Sequence, residues 1–213
     1  MADYSKMTPP EVWKLIRTGE ITRPTAGMCA GYAQANLVIL PKKYADDFKE
    51  FARKNPKPCP ILEVVEGTPD IHDMGEGASI VTDIPKYFIY RDGVKVDEVT
   101  DVSSYWKEDS VAFLIGCSFS FEEALMKAGI EVRHIAQGCN VSMYKTNIQC
   151  ESAGVFKGPM VVRSRSAIRQ RSVSRIFPNQ TMAIQSRSAR VRSRYSGLAA
   201  LPLRQRLKMQ NFR

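Results

Sequence analysis

Ser110-Val111-Ala112-Phe113-Leu114-Ile115 has no polar interruption after its first residue. An apolar run this short, without alternation and bounded by polar residues, predicts a buried strand. The next residues constrain the chain further. Gly116-Cys117-Ser118-Phe119-Ser120-Phe121-Glu122-Glu123 leads into a helix pattern over Glu122 to Lys127, closed by Gly129. Ser120 with Glu123 three residues on reads as a capping box, so the helix is expected to begin there. A strand that runs through a sharp turn into a helix exposes backbone N–H groups. It also sets the Cys117 thiol and the Ser118 and Ser120 hydroxyls at the positive end of a helix dipole. That arrangement suits a carboxylate or an oxyanion. A plain strand–helix joint of small, tightly packed residues has the same pattern, so the spacing leaves both readings open.

Charge divides the chain more sharply than hydropathy does. Of 31 basic residues, 13 lie in 163–213, which holds no Asp or Glu; the other 18 stand against 22 acidic residues in 1–162. The net charge of +9 is therefore the sum of a mildly acidic body and a strongly basic tail. The body is expected to be folded and the tail disordered. No apolar run is long enough to span a bilayer, and the first residues resemble neither a signal nor a transit peptide. Five cysteines without a CxxC pair, and only two histidines, argue against a disulfide framework or a zinc site. The expected compartment is the cytoplasm, with the mitochondrion as the alternative although no targeting peptide is evident.

Along the body, Thr8-Pro9-Pro10-Glu11 is a helix start and Gly19 a stop. Leu37-Val38-Ile39-Leu40 reads as a strand. Gln34 and Asn36 share a face if that strand starts early, or sit on a helix end if it starts late. Pro41 is expected to open a helix with Tyr44, Phe48 and Phe51 as a core stripe. Ile61 to Val65 reads as a strand. Gly67 to Gly77 reads as a solvated loop, although its Asp70, His72, Asp73 and Glu76 could attract a cation. Tyr87–Tyr90 and Val94–Val96 flank Asp92-Gly93 as a hairpin. Ile130 to Ile135 alternates as a strand would. Residues 138–150 carry many uncharged polar side chains, suited to a small polar ligand or to satisfied turns. The expected fold class is α/β: a three-layer α/β body over 1–162 with a smaller strand-rich α+β lobe at 59–110, and the basic tail over 163–213.

Several motifs occur in one order: Arg23-Pro24-Thr25-Ala26-Gly27, the Gln34 and Asn36 segment, Gly116 to Glu122, Arg133-His134, Gly138-Cys139-Asn140-Val141 with Met143-Tyr144 and Thr146-Asn147, and Gly154 to Val162. Together they closely resemble the hydro-lyase family that shares its domain with D-glutamate cyclase. The resemblance covers residues 8–162, with Ser142 standing where the family pattern has Pro. It implies a lyase that removes water from a small amino or carboxylic acid, such as D-glutamate closing to 5-oxo-D-proline, without a metal or organic cofactor. The implied chemistry needs a carboxylate clamp, for which Arg23 or Arg133 is suited, and an oxyanion site, for which the Cys117–Ser120 turn is suited. Glu122, Tyr144 or Cys117 could carry protons. Thr25, Gln34, Asn36, Asn140, Thr146 and Asn147 are the remaining candidate substrate contacts.

The tail departs from the family, which continues after Val-Val with about a hundred further residues, in keeping with a larger domain. Codons permitted for Arg194 to Arg204, read one frame over, yield Val-Phe-Trp-Ala-Cys-Gly-Val-Thr-Pro-Gln, a family-like ending. An out-of-frame tail following a frameshift or misplaced splice near Val162 is therefore the expectation, and if the family's C-terminal segment completes the sheet or pocket, the chain as written is expected to be inactive or unstable. Two other readings stand beside the lyase. One is a non-catalytic small-acid-binding module. The other is an RNA-associated protein acting through Arg163-Ser164-Arg165-Ser166 and Ser186-Arg187-Ser188-Ala189-Arg190. Nucleic acid is the disfavoured partner because the basicity has no regular repeat and few aromatics.

Overall fold

A central antiparallel ladder positions the turn after residue 115. The computed structural model describes residues 3–117, 119, 122–137, 141, 143–163 and 196–201. Two compact units divide the chain: the first draws on 1–43, 61–123 and 190–213, the second on 44–60 and 124–189. Helices and strands are mixed, as expected, and the strand pairings among the described residues are antiparallel.

In the first unit, helix α1 (Pro9–Arg17) starts where the capping pattern predicts. The Thr8 backbone N–H donates to the Glu11 carboxylate at 2.7 Å, satisfying a donor that the helix leaves unpaired. Val12, Trp13 and Ile16 form its buried stripe, and Gly19 at φ +78° ends it. The main sheet runs in the order β2 (Ile61–Glu66), β5 (Ser110–Gly116), β1 (Ala33–Pro41), β8 (Ser196–Leu201). β5 is buried from Ser110 to Ile115 and has a strand on each side, with Leu114 opposite Leu37 and Phe113 opposite Val64. Ala112 and Leu114 join Val12, Ile16, Leu37, Ile80 and Ile84 in one core cluster. Of the basic tail, Arg163 ends β7 and β8 pairs with β1 through shifted registers; 164–195 and 202–213 lie outside the described residues.

The loop after β2 is anchored from below. Glu63 is buried, and its carboxylate accepts the N–H groups of His72 at 2.9 Å and Met74 at 2.8 Å. Asp70, His72, Asp73 and Glu76 lie along this loop. Asp83, fully buried, receives both arms of the Arg17 guanidinium at 2.5 and 2.6 Å, together with the Ser79 N–H and the Thr82 hydroxyl. β3 (Tyr87–Arg91) and β4 (Val94–Val99) form a separate two-stranded sheet. Asp92 and Gly93 both have positive φ, as a type I′ turn requires, which is why Asp-Gly marks the hairpin in the sequence.

The second unit is built on α2 (Ala45–Lys54), with Phe48 and Phe51 buried beside Phe156 at ring separations of 5.1 and 6.1 Å. Asn55 ties the helix end to the chain at residue 151. Its amide donates to the carbonyls of Phe51 and Glu151, each at 2.8 Å, and its oxygen accepts the Glu151 N–H at 2.9 Å. β6 (Met143–Gln149) and β7 (Pro159–Arg163) make a hairpin. The unit boundary falls within α3 (Glu122–Lys127); α4 (Arg133–Ala136) follows.

Two expectations are corrected. Pro41 does not open a helix: it is the last residue of β1, opposite Ser110, and α2 begins at Ala45 after a 3-10 turn over Lys42–Tyr44. Pro41 needs no donor at the strand end, and the next N–H, from Lys42, bonds the Asp109 carbonyl at 2.7 Å, so the ladder outcompetes a helical start. Residues 130–135 are not a strand. The Val132 carbonyl accepts the N–H groups of Ile135 and Ala136, closing the turn that becomes α4. Alternation over six residues does not separate these outcomes.

Candidate functional site

β1 does start early, at Ala33, and this decides the surroundings of Gln34. The ladder pairs Ala35 with Gly116, and one residue further the Cys117 N–H donates to the Gln34 carbonyl at 3.1 Å. Cys117 therefore leaves β5 while still tied to β1. The Gln34 side chain is 3% exposed and turns toward the Arg23–Gly27 motif. Its Nε2 donates to the Thr25 carbonyl at 2.9 Å and reaches the Met28 carbonyl at 3.4 Å. Its Oε1 accepts the Thr25 hydroxyl at 2.7 Å. Thr25 is fully buried. A single amide thus satisfies a donor and two acceptors of a loop that has no ladder of its own, at about 1 kcal/mol net per bond and more if one is left unmade.

The fold brings Thr25, Gln34 and Cys117 to one end of the β1–β5 ladder. Asn36 is half-buried on the same face of β1 as Gln34, two residues along. Arg23 is exposed, and its guanidinium lies over the Tyr4 ring at 5.5 Å, a cation–π contact that leaves its N–H edge available to an anion. Glu122, the first residue of α3, is 2% exposed, and Cys117 and Phe119 are buried. Ser118 and Ser120 lie outside the described residues.

The other expected contacts belong to the second unit. Tyr144 is half-buried on β6, across from Val162. Thr146 is buried, and its hydroxyl donates to the Met160 carbonyl at 2.8 Å and accepts the Ile148 N–H at 3.3 Å. Asn147 is exposed. Arg133 opens α4, its side chain outside the described set, and Asn140 is likewise outside.

His134, beside Arg133, is 6% exposed and lies outside the site residues expected from sequence. A signal for it exists, since it is one of two histidines and stands within a motif. Cys29 is buried with φ +49°, and burial pushes its thiol up to about 11. It is a packed thiol rather than a nucleophile. Among the described residues, no group of three or more His, Cys, Asp or Glu could hold a metal ion, and no helix is long and apolar enough to cross a membrane.

Comparison with known proteins agrees with the motifs. A family described as D-glutamate cyclase matches residues 111–194, starting in β5 and taking in the turn after it. A "Putative hydro-lyase" of Clostridium beijerinckii is 59% identical over 164 residues, covering 76% of this chain and 63% of its own length. "Putative hydro-lyase YcsI" of Bacillus subtilis is 54% identical over 178 residues, covering 81% of this chain and 69% of its own. A Bacillus velezensis relative of the same description is 54% identical over 180 residues, covering 82% and 68%. The chain thus spans between 63% and 69% of the length of these relatives, whose names suggest lyase activity. Identity at this level across most of the chain means that the protein belongs to the hydro-lyase family of D-glutamate cyclase.

Proposed function

We propose that this protein is a carbon–oxygen hydro-lyase that removes water from a small amino or carboxylic acid, with D-glutamate closing to 5-oxo-D-proline as the reaction of choice. The observation that carries this is the Thr25–Gln34–Cys117 assembly. A buried amide holds the Arg23–Gly27 loop beside the turn that leaves β5, in a chain of this family. In the reaction the substrate amine attacks its own γ-carboxyl carbon. A C–N bond forms, a C–O bond breaks, and the two protons lost by the ammonium leave in the water.

Arg23 or Arg133 would clamp the α-carboxylate through a bidentate pair. Backbone N–H groups of the turn that follows Cys117 would face the oxyanion as the carboxyl carbon becomes tetrahedral, the Cys117 N–H itself being held by the Gln34 carbonyl. Glu122, Tyr144 or Cys117 would carry the protons, with Ser118 and Ser120 donating in the turn. Asn36 is the proposed substrate contact on β1, with Thr25 and Gln34 supporting Arg23; Asn140, Thr146 and Asn147 are the candidates that the second unit holds. This reading places a three-layer α/β domain over 1–162, with its strand-rich lobe at 59–110, ahead of the basic tail from 163. It assigns the protein to amino-acid metabolism in the cytoplasm.

The test is incubation of the purified chain with D-glutamate and detection of 5-oxoproline by mass spectrometry. Turnover supports the reading. Saturable binding without product would replace it with the small-acid-binding module. Salt-sensitive RNA binding by the 163–213 tail, with neither turnover nor acid binding, would favour the nucleic-acid reading.

A further inference from the structure

Among the strands of the first unit whose burial is described, β4 is the most exposed. Among the described residues it pairs only with β3, and Val94, Lys95, Val96 and Glu98 are all exposed, Val94 at 64% and Val96 at 51%. An outward edge carrying two exposed valines is a template for another strand. The question is which strand fits, and the side-chain order of β4 answers it.

The β3–β4 register pairs Phe88 with Glu98 and Tyr90 with Lys95, so Lys95 and Glu98 share a face, the bulge at Val96 absorbing the odd residue between them. Lys95 lies over the Phe88 ring and bonds the Glu98 carboxylate on that face. Tyr87 pairs with Val99 and Arg91 with Val94, which puts Val94 and Val99 on the other face. Now set a second β4 antiparallel against the outer edge, related by a two-fold axis between Val96 and Asp97. Val94 then opposes Val99 of the second copy, and Lys95 opposes Glu98 of the second copy, each on matching faces. A shift of one residue either way opposes side chains from different faces. One register therefore satisfies both the apolar and the charged pairs, and it is self-complementary, as a two-fold interface must be.

We propose that the outer edge of β4 joins two copies of this chain into an antiparallel, two-fold dimer, with Lys95 of each copy against Glu98 of the other. The interface is one strand pair wide, so the association is weak and concentration-dependent.

The test is sedimentation velocity on the full chain from about 1 to 200 µM, the range in which a small interface populates a dimer. The wild type is expected to pass from monomer to dimer across that range. Lys95→Glu and Glu98→Lys should each weaken self-association by about tenfold or more, because like charges then face each other across the axis. Mixing the two variants should restore a dimer. The carboxylates at positions 95 and 98 of the first variant then meet the ammonium groups at positions 98 and 95 of the second. The mixture decides the matter, because the pair of groups within each chain remains like-charged. Circular dichroism of each variant controls for folding. A wild type that stays monomeric at about 200 µM, a dimer indifferent to both charge reversals, or a mixture that stays monomeric overturns the proposal.

Discussion

Thr25 and Gln34 close a ring of two hydrogen bonds: the Thr25 hydroxyl donates to Gln34 Oε1 at 2.7 Å, and Gln34 Nε2 donates to the Thr25 carbonyl at 2.9 Å. Both residues are buried, so neither bond is replaced by water when lost. Thr25→Val removes one hydroxyl and should cost about 1–2 kcal/mol in chemical denaturation; Gln34→Leu strands the hydroxyl and the carbonyl together and should cost about 2–4 kcal/mol. If the loop serves Arg23, Gln34→Leu should also depress 5-oxoproline formation below what its folded fraction accounts for.

Asp83 should behave as a hub rather than as a surface ion pair. It is fully buried and accepts from Arg17, Ser79 and Thr82, while the Arg17 side chain is 45% exposed. Asp83→Ala is expected to destabilise by about 3 kcal/mol or more, the range for breaking a buried pair. Breaking an exposed pair such as Arg53–Glu50 should cost far less, because water and salt screen it. Urea denaturation of the two single variants, Asp83→Ala and Arg53→Ala, checks the contrast.

Alkylation should distinguish the cysteines. Cys29 is 1% exposed and its thiol is held at about 11, whereas Cys59 and Cys150 are half-exposed. At pH 8 the raised pKa keeps the Cys29 thiol protonated, even before access is considered. Iodoacetamide under native conditions should therefore label Cys59 and Cys150 and spare Cys29, as read by peptide mass spectrometry. The linkage has a definite sign. The folded thiol, at about 11 against an ordinary 9.0, holds its proton more tightly than the unfolded one. The stability this represents is present below about pH 9 and is lost as pH rises toward about 11. A Cys29→Ala variant should lose less stability than the wild type across that window.

A side chain at Gly154 should be strained. Its φ is +51°, and a Cβ built there would lie 1.8 Å from Asp47 Oδ2. Gly154→Ala is expected to destabilise by about 1–3 kcal/mol through backbone strain and displacement of the Asp47 carboxylate. Adding Asp47→Ala should recover the displacement part and leave the backbone part, which a double-mutant cycle measures.

Local chemistry makes much of the fold legible. The Thr8–Glu11 cap, the Gly19 stop, the Asp92-Gly93 hairpin and the unbroken apolar run of β5 are decided by residues a few positions apart. So are the motifs that carry the family. Pro41 and residues 130–135 mislead because each pattern admits two local structures. Hydrogen bonds settle between them: Lys42 to Asp109 across the ladder, and Ile135 and Ala136 to Val132 within a turn.

The site divides the same way. Cys117 is marked by sequence because a strand, a turn and a helix start adjoin there. Nothing local says that Gln34 will be buried, that its amide will close on Thr25, or that its carbonyl will take the Cys117 N–H. Those facts depend on β1 starting at Ala33 and pairing with β5 in the register Ala35–Gly116, across some 80 residues of chain. Sequence alone determined which residues could form caps, turns and a buried strand, since short-range sterics and hydrogen bonding decide those. The tertiary structure decided which polar groups meet, because a buried amide is bound to whatever donors and acceptors the long-range ladder sets beside it.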